Sequence, residues 1–438
     1  MTADAATLYA LALRALTGPL RDALALDAAL SRARPPELLK LSTVVREPWR
    51  QPEPWPVIDR ARLATLDPTM PEDAALLCAA SLDRDGFVRE LAVRALVRFA
   101  PPYARRFLWM RLDDVVPAIA TRADGALDVS AMTPDSLVGD LGLLEQLAVR
   151  ERARRRSSLV TALRTLASND PAVRAALRRG LSAPDAEVRS ACARRLAGEG
   201  DDAVRIEAIL TALRDPSPRV YLWAAREAAL RKTAPAVAAA VAPAMCAHDE
   251  PSVRLRGVRI LARDDETHEA LLAATIDVDA SVRFEARAAV VRGGAFDHRA
   301  VALDALGDGG PSAWPDARRA LGALGAMYDV GQRDDWPLVA RYLAHPRTRV
   351  QAEALRALAS LAPDLFVDVF VAKLRHRSRR VARESVTALE RCAQGLGAEM
   401  FRAVVSDATL RALADDGALR EPVRIAARRF LKARRAKS

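Results

Sequence analysis

One motif returns along this chain and limits what it can fold into. "DGFVRELAVRAL" begins at Asp85, "DAEVRSACARRL" at Asp185, "DEPSVRLRGVRIL" at Asp249 and "DASVRFEARAAV" at Asp279. Anchored on its valine, the motif falls at Val88, Val188, Val220, Val253, Val282, Val350, Val381 and Val423. The spacings are 29 to 42 residues, apart from gaps of 100 and 68. A degenerate copy, "GPSAWPDARRALGAL", fills the second gap with Ala317 in the valine slot. Residues 100–180 take no clear phase. Self-similarity at this period indicates stacked supersecondary units rather than one closed core.

Each unit reads as two helices. "DDAVRIEAILTALRD" is an amphipathic segment, "PSPR" a turn and "VYLWAAREAALRK" a second helix. Asp, Ser and Pro gather at the joints, where oxygens cap the next helix and proline suits its first turn. The palette of Ala, Leu, Val and Arg favours helix over strand. Apolar residues make up 51% and aromatics 5%. A two-helix unit of this size cannot bury its own apolar face, so neighbours must stack.

The pattern D-x-x-x-[RV]-V-R-x-x-A on the second helix resembles the HEAT-repeat family, in its HEAT-like, PBS-lyase-type form. The resemblance covers roughly residues 60–438 and is clearest from 184 onward. It implies an all-α, right-handed α-solenoid of stacked two-helix repeats. Three regions are expected: an N-terminal helix with a Pro-rich strap or linker (1–60), degenerate helical repeats (61–183), and a regular array with a basic tail (184–438). Residues 34–58, "RPPELLKLSTVVREPWRQPEPWPVI", carry Trp49 and Trp55 and match no unit.

With about 100° per residue, each slot after the valine has a direction. The fourth is small in every unit: Ala92, Cys192, Ala224, Gly257, Ala286, Ala354, Ser385 and Ala427. That slot is expected in the core, where it lets helices approach. An arginine adjoins the valine in all eight units, following it as Arg89, Arg189, Arg254, Arg283 and Arg424, or preceding it as Arg219, Arg349 and Arg380. The resemblance implies that such arginines form a hydrogen-bonded ladder between repeats with the preceding aspartates, here Asp85, Asp185, Asp215, Asp249 and Asp279. Bidentate arginine–carboxylate pairs suit that role.

The sixth slot points away from the apolar stripe. Arg94, Arg194, Arg226, Arg259, Arg356 and Arg429 occupy it, and Arg98, Arg263, Arg292 and Arg391 lie four residues further on. Second helices of HEAT-type units line the concave surface, so the resemblance implies an arginine row along an inner groove. Glu90 and Glu353 can neutralise Arg94 and Arg356 within their own helices. Arg194, Arg226, Arg259 and Arg263 have no such acid, and Tyr221 and Trp223 border the same region. The candidate binding surface is therefore Arg194, Tyr221, Trp223, Arg226, Arg256, Arg259, Arg263, Arg292 and Arg356.

Net charge is +11, and only five of the 67 basic residues are lysine. Arginine suits carboxylate or phosphate partners, although an Arg-rich solvated surface has the same composition. Two functions are consistent with this. One is a non-enzymatic scaffold gripping an acidic protein segment. The other is nucleic-acid binding by the same groove, as the alkylpurine DNA glycosylase branch of HEAT-like folds implies; "RERARRR" at 150–156 and "RRFLKARRAKS" at 428–438 support it.

No Walker loop, zincin motif or C-x-x-C pair is present. The lone His268–Glu269 dyad falls short of the several that the di-iron hydroxylases of this fold need, and no bilin-lyase residue can be identified. "GDGGPS" at 307–312 reads as a connection. Cys78, Cys192, Cys246 and Cys392 lie far apart in apolar stretches, which reads as reduced core cysteine. No catalytic group, metal or cofactor is expected. No apolar run approaches the ~20 residues of a membrane span, and no export signal is read at the N-terminus, so a cytoplasmic protein is expected. The sequence sets no oligomeric state.

Overall fold

The computed structural model describes residues 4–47, 51, 53–98, 103–167, 170–198, 201–230, 233–263, 269–292, 296–307, 314–395, 405–417, 419 and 421–435. Among them the ordered elements are all helices. The chain divides into two compact units, Met1–Ala228 and Ala229–Ser438. This division by packing is a different criterion from the repeat-regularity boundaries at 60 and 183.

The first unit opens with α1 (Ala5–Thr17), α2 (Leu20–Leu30), α3 (Pro35–Arg46) and the short α4 (Arg60–Thr65). Two helix pairs follow, α5 (Pro71–Ala80) with α6 (Gly86–Leu96), and α7 (Ala104–Arg111) with α8 (Pro117–Ala126). Next come α9 (Pro134–Ala148), α10 (Ser157–Thr165) and α11 (Pro171–Gly180), then α12 (Ala186–Ala197). The pair α13 (Asp202–Leu213) and α14 (Pro218–Ala229) reaches the boundary.

The second unit continues in pairs. They are α15 (Pro235–Cys246) with α16 (Pro251–Leu261), α17 (Glu269–Ala274) with α18 (Ala280–Arg292), and α19 (His298–Leu306) with α20 (Ala317–Val330). Then come α21 (Trp336–Arg341) with α22 (Thr348–Leu361), and α23 (Val367–Lys373) with α24 (Arg379–Gly395). Last are α25 (Asp407–Asp415) and α26 (Glu421–Arg435). Second helices pack on one another in turn, α16 on α18, α20 on α22 and α22 on α24. This stacking of helix pairs is an α-solenoid fold.

The joints explain where helices start. Asp85, Asp170, Asp185, Asp201 and Asp316 each accept a backbone N–H from two residues on, satisfying a donor that the helix leaves open. Pro71, Pro117, Pro134, Pro171, Pro235 and Pro251 sit in first turns, where a missing N–H costs nothing. All eight motif valines are buried, and so are the eight small residues four positions later. Gly257 shows why those residues are small: a Cβ there would stand 2.9 Å from the Cys246 backbone nitrogen.

Residues 100–180 resisted phasing because three α-helices, α9, α10 and α11, lie between α8 and α12 where one would keep the period. The helix α9 packs on α7, α11 and α12 together.

The N-terminal region, expected as a helix with a Pro-rich strap or linker, holds three helices before the strap. "RPPELLK" starts α3, because its prolines fall at the first helical positions while Glu37 reaches back to the Arg34 N–H. The following strap is pinned by hydrogen bonds. Trp55 Nε1 donates to Asp83 at 3.0 Å, and Tyr9 OH donates to the Glu53 carbonyl at 2.6 Å. Trp49 lies outside the described residues.

Candidate binding surface on the second helices

The arginine that follows the valine is buried or half-buried, and in four units its fork is held from both sides. Nη1 of Arg89, Arg189, Arg254 and Arg283 donates to the carbonyls five and six residues back, across the turn that enters the helix. Nε of each, joined by Nη2 in Arg89, Arg189 and Arg254, turns outward to a carboxylate of a later helix or joint. Arg89 meets Asp114 at 2.9 Å, Arg189 meets Asp215 at 2.6 Å, Arg254 meets Asp277 at 2.6 Å and Arg283 meets Asp329 at 2.8 Å. Arg424 instead pairs within its own helix with Glu421.

Of the aspartates expected in this ladder, Asp215 takes the role. Asp85, Asp185 and Asp279 cap their own helices. Asp249 is exposed and meets Arg318 at 3.3 Å. The acids that do receive these arginines at the joints, Asp114, Asp215 and Asp277, also accept the backbone N–H two residues on, while Asp85 pairs with Arg60 besides capping its helix. Arg219, Arg349 and Arg380, which precede the valine, are exposed, and Arg219 pairs with Glu187 of the preceding second helix α12.

The sixth-slot arginines leave the core as their direction requires: Arg94, Arg226, Arg259 and Arg429 are exposed, while Arg194 and Arg356 are half-buried. In the first unit, Arg194 donates to Glu145 of α9 at 2.5 Å and to Ser190 Oγ at 2.7 Å. Helix-internal counting missed that acid because it arrives from a neighbouring helix. Arg226 is exposed, and Tyr221 and Trp223 beside it are half-buried.

In the second unit, Arg256 donates to the Ser252 carbonyl at 2.9 Å. Arg259 lies 3.5 Å from Glu285 of α18. Arg263 donates to the Ala229 carbonyl at 3.2 Å, and Arg292 to the Ala262 carbonyl at 3.3 Å. Backbone carbonyls orient these two guanidiniums without cancelling their charge. The neighbouring acids Asp264, Asp265 and Glu266 lie outside the described residues.

A feature that spacing could not reveal sits further along. The Arg356 and Arg391 guanidiniums lie 4.5 and 4.9 Å from the centre of the Tyr328 ring. Arg356 also pairs with Glu353 at 3.5 Å. Burial, with the Glu353 charge next, pushes the Glu384 carboxyl up. Three helices, α20, α22 and α24, supply this cluster, so no single-helix pattern joins its members.

Nothing in the described residues gathers three or more His, Cys, Asp or Glu side chains around a metal position. Burial pushes the thiols of Cys192, Cys246 and Cys392 up to about 12 and holds Cys78 well above its usual range. At neutral pH they are unreactive thiols. His268 and residues 308–312 of the glycine segment lie outside the described residues. No described helix is long and apolar enough to cross a membrane.

No protein-family model matches the sequence. No curated protein matches it either. Solved structures that resemble the fold include an engineered protein at 18% identity, with 98% of each chain covered and a TM-score of 0.22. Yeast importin-β (Kap95p) is 15% identical over 96% of this chain and 66% of its own, with a TM-score of 0.36. A chain of the S. pombe condensin Cnd3–Cnd2 subcomplex is 14% identical over 94% and 71%, with a TM-score of 0.34. The chain thus spans about two thirds of the importin-β chain. The likeness to these structures concerns the fold and is silent about function.

Proposed function

We propose that the chain is a non-enzymatic interaction scaffold that grips an acidic segment of a partner protein with arginines on its second helices. The observation that carries this reading is the strip Arg259, Arg263 and Arg292 on α16, just after it, and on α18. All three are exposed. Among the described residues, the one carboxylate within ion-pair distance of the three is Glu285, beside Arg259. Such guanidiniums present planar, bidentate donors to incoming carboxylates. A phosphate backbone asks for a continuous track of cations. Within the second unit Arg356 interrupts that track, because Glu353 already neutralises it.

The test is affinity capture with the wild-type chain and with Arg259→Glu/Arg263→Glu/Arg292→Glu, each probed in parallel with labelled duplex DNA across a salt series. The proposal expects a protein bound by the wild type to be lost from the variant. Retention of the same protein places recognition elsewhere and overturns it. DNA binding whose log affinity falls steeply with log salt, and disappears in the variant, replaces it with the nucleic-acid reading.

A further inference from the structure

The first unit carries a row of bare apolar side chains that its core does not use. Val57, Phe87, Val115 and Val149 are 101%, 67%, 59% and 85% exposed. They come from four successive stretches of chain at helix ends, and contacts place these ends side by side. The Arg60 guanidinium lies 4.9 Å from the centre of the Phe87 ring, and its Nη2 is 2.5 Å from Asp85. A Cβ on Gly86 would stand 3.4 Å from Val116 Cγ2. Arg150 and Arg152 reach back to the Asp113 carboxylate at 3.1 and 3.7 Å. The segments along the edge therefore follow in the order Val57, Phe87, Val115, Val149, with Arg60 beside Phe87 and Arg150 and Arg152 reaching the segment of Val115.

Charge accumulates at one end of the row. Arg60 is matched by Asp85, but the run 150–156 holds five arginines, and among the described residues the carboxylates that meet them are Glu151 and Asp113. Rows of exposed apolar residues rimmed by polar ones mark interaction sites.

We propose that this edge docks an amphipathic helix of a partner protein, apolar at every seventh residue and acidic along its flank. The register is the physical basis. Packed helix layers repeat about every 8–10 Å, and seven residues of α-helix advance about 10.5 Å. A helix laid along the edge thus offers one apolar side chain to each joint. Duplex nucleic acid would use the arginines and leave the apolar row exposed. A lipid surface imposes no spacing and favours long aromatic or leucine side chains that reach past the arginines; three of these four residues are valines. The surface is separate from the arginine strip of the second unit.

The test uses the full chain carrying Arg259→Glu/Arg263→Glu/Arg292→Glu, so that the proposed strip cannot contribute. The probe is a labelled synthetic helix of about three heptads with leucine at every seventh position and glutamate beside it. A second peptide has the same composition with its leucines spread around the helix. The proposal expects the first peptide to bind in fluorescence anisotropy and the second to bind roughly tenfold more weakly or worse. Val115→Glu/Val149→Glu, both at exposed positions, should weaken the first peptide by a similar factor with an unchanged circular dichroism spectrum. Equal binding of both peptides means attraction by charge alone and overturns the proposal. So does binding that survives the double substitution, absence of peptide binding, or sedimentation with anionic vesicles but no peptide binding.

Discussion

At the scale of single residues, Asp114 shows how much one carboxylate can organise. It accepts from Arg89 at both oxygens, from Arg46 of α3 at 3.1 Å and from Arg111 at 3.4 Å. Arg111 is 1% exposed, and burial, with Arg46 adding to it, pulls its guanidinium down to about 9. Removing a buried partner and stranding such charges costs about 3–5 kcal/mol. Asp114→Ala should therefore destabilise the first unit by at least that order, measured by urea denaturation. Gly257 tests the opposite limit. Gly257→Ala gains helix propensity but drives a methyl against the Cys246 backbone, which cannot retreat as a flexible side chain could. Overpacking of this kind costs about 1–3 kcal/mol, so the variant should be less stable than wild type in the same experiment. Equal or greater stability would mean that α15 and α16 separate without cost.

Among elements, the joints carry a code that the motif alone conceals. Five residues before the valine slot stands Asp215 or Asp277 where the preceding second helix offers Arg189 or Arg254, and Asp114, which meets Arg89, stands five residues before the buried Ile119 of α8. Where the preceding second helix offers Tyr221 or Gln351 instead, the slot holds His248 or His376. These histidines, with His345, keep the turn by accepting a backbone N–H at Nδ1. An accepting Nδ1 carries no proton, and burial lowers the pKa of His345 and His376 from 6.5. The folded form therefore resists the proton that the unfolded chain takes up near 6.5. Stability is full above that value and falls as pH drops through it. The melting temperature should decline by a few degrees between about pH 7.5 and 5.5. His345→Asn/His376→Asn, which keeps an acceptor that does not titrate, should flatten the decline; an unchanged slope would assign it to other groups.

Over the whole molecule, a stack of helix pairs transmits damage only through neighbours. Hydrogen exchange on Asp114→Ala should show lost protection in α3, α6 and α8, with α20 to α24 exchanging as in wild type. Loss of protection throughout would indicate one cooperative core and contradict the division at Ala228.

The fold was legible because periodicity is a one-dimensional property. The buried valines, the small fourth slot and the Asp and Pro joints each follow from the 3.6-residue turn and the chemistry of open N–H groups. Direction was legible for the same reason, and the exposed Arg226 and Arg259 follow from it. Partnership was not. Whether an arginine is neutralised depends on which helices stack beside it, as Glu145 for Arg194 and Asp277 for Arg254 show. The extra helices between α8 and α12, the three-helix cluster around Tyr328 and the apolar row from Val57 to Val149 likewise join residues that share no period. The sequence by itself determined the helix pairs, their buried faces and their caps, because those are set within a few turns of chain. Only the tertiary structure decided which charges remain uncancelled, because compensation acts through space between helices distant in sequence.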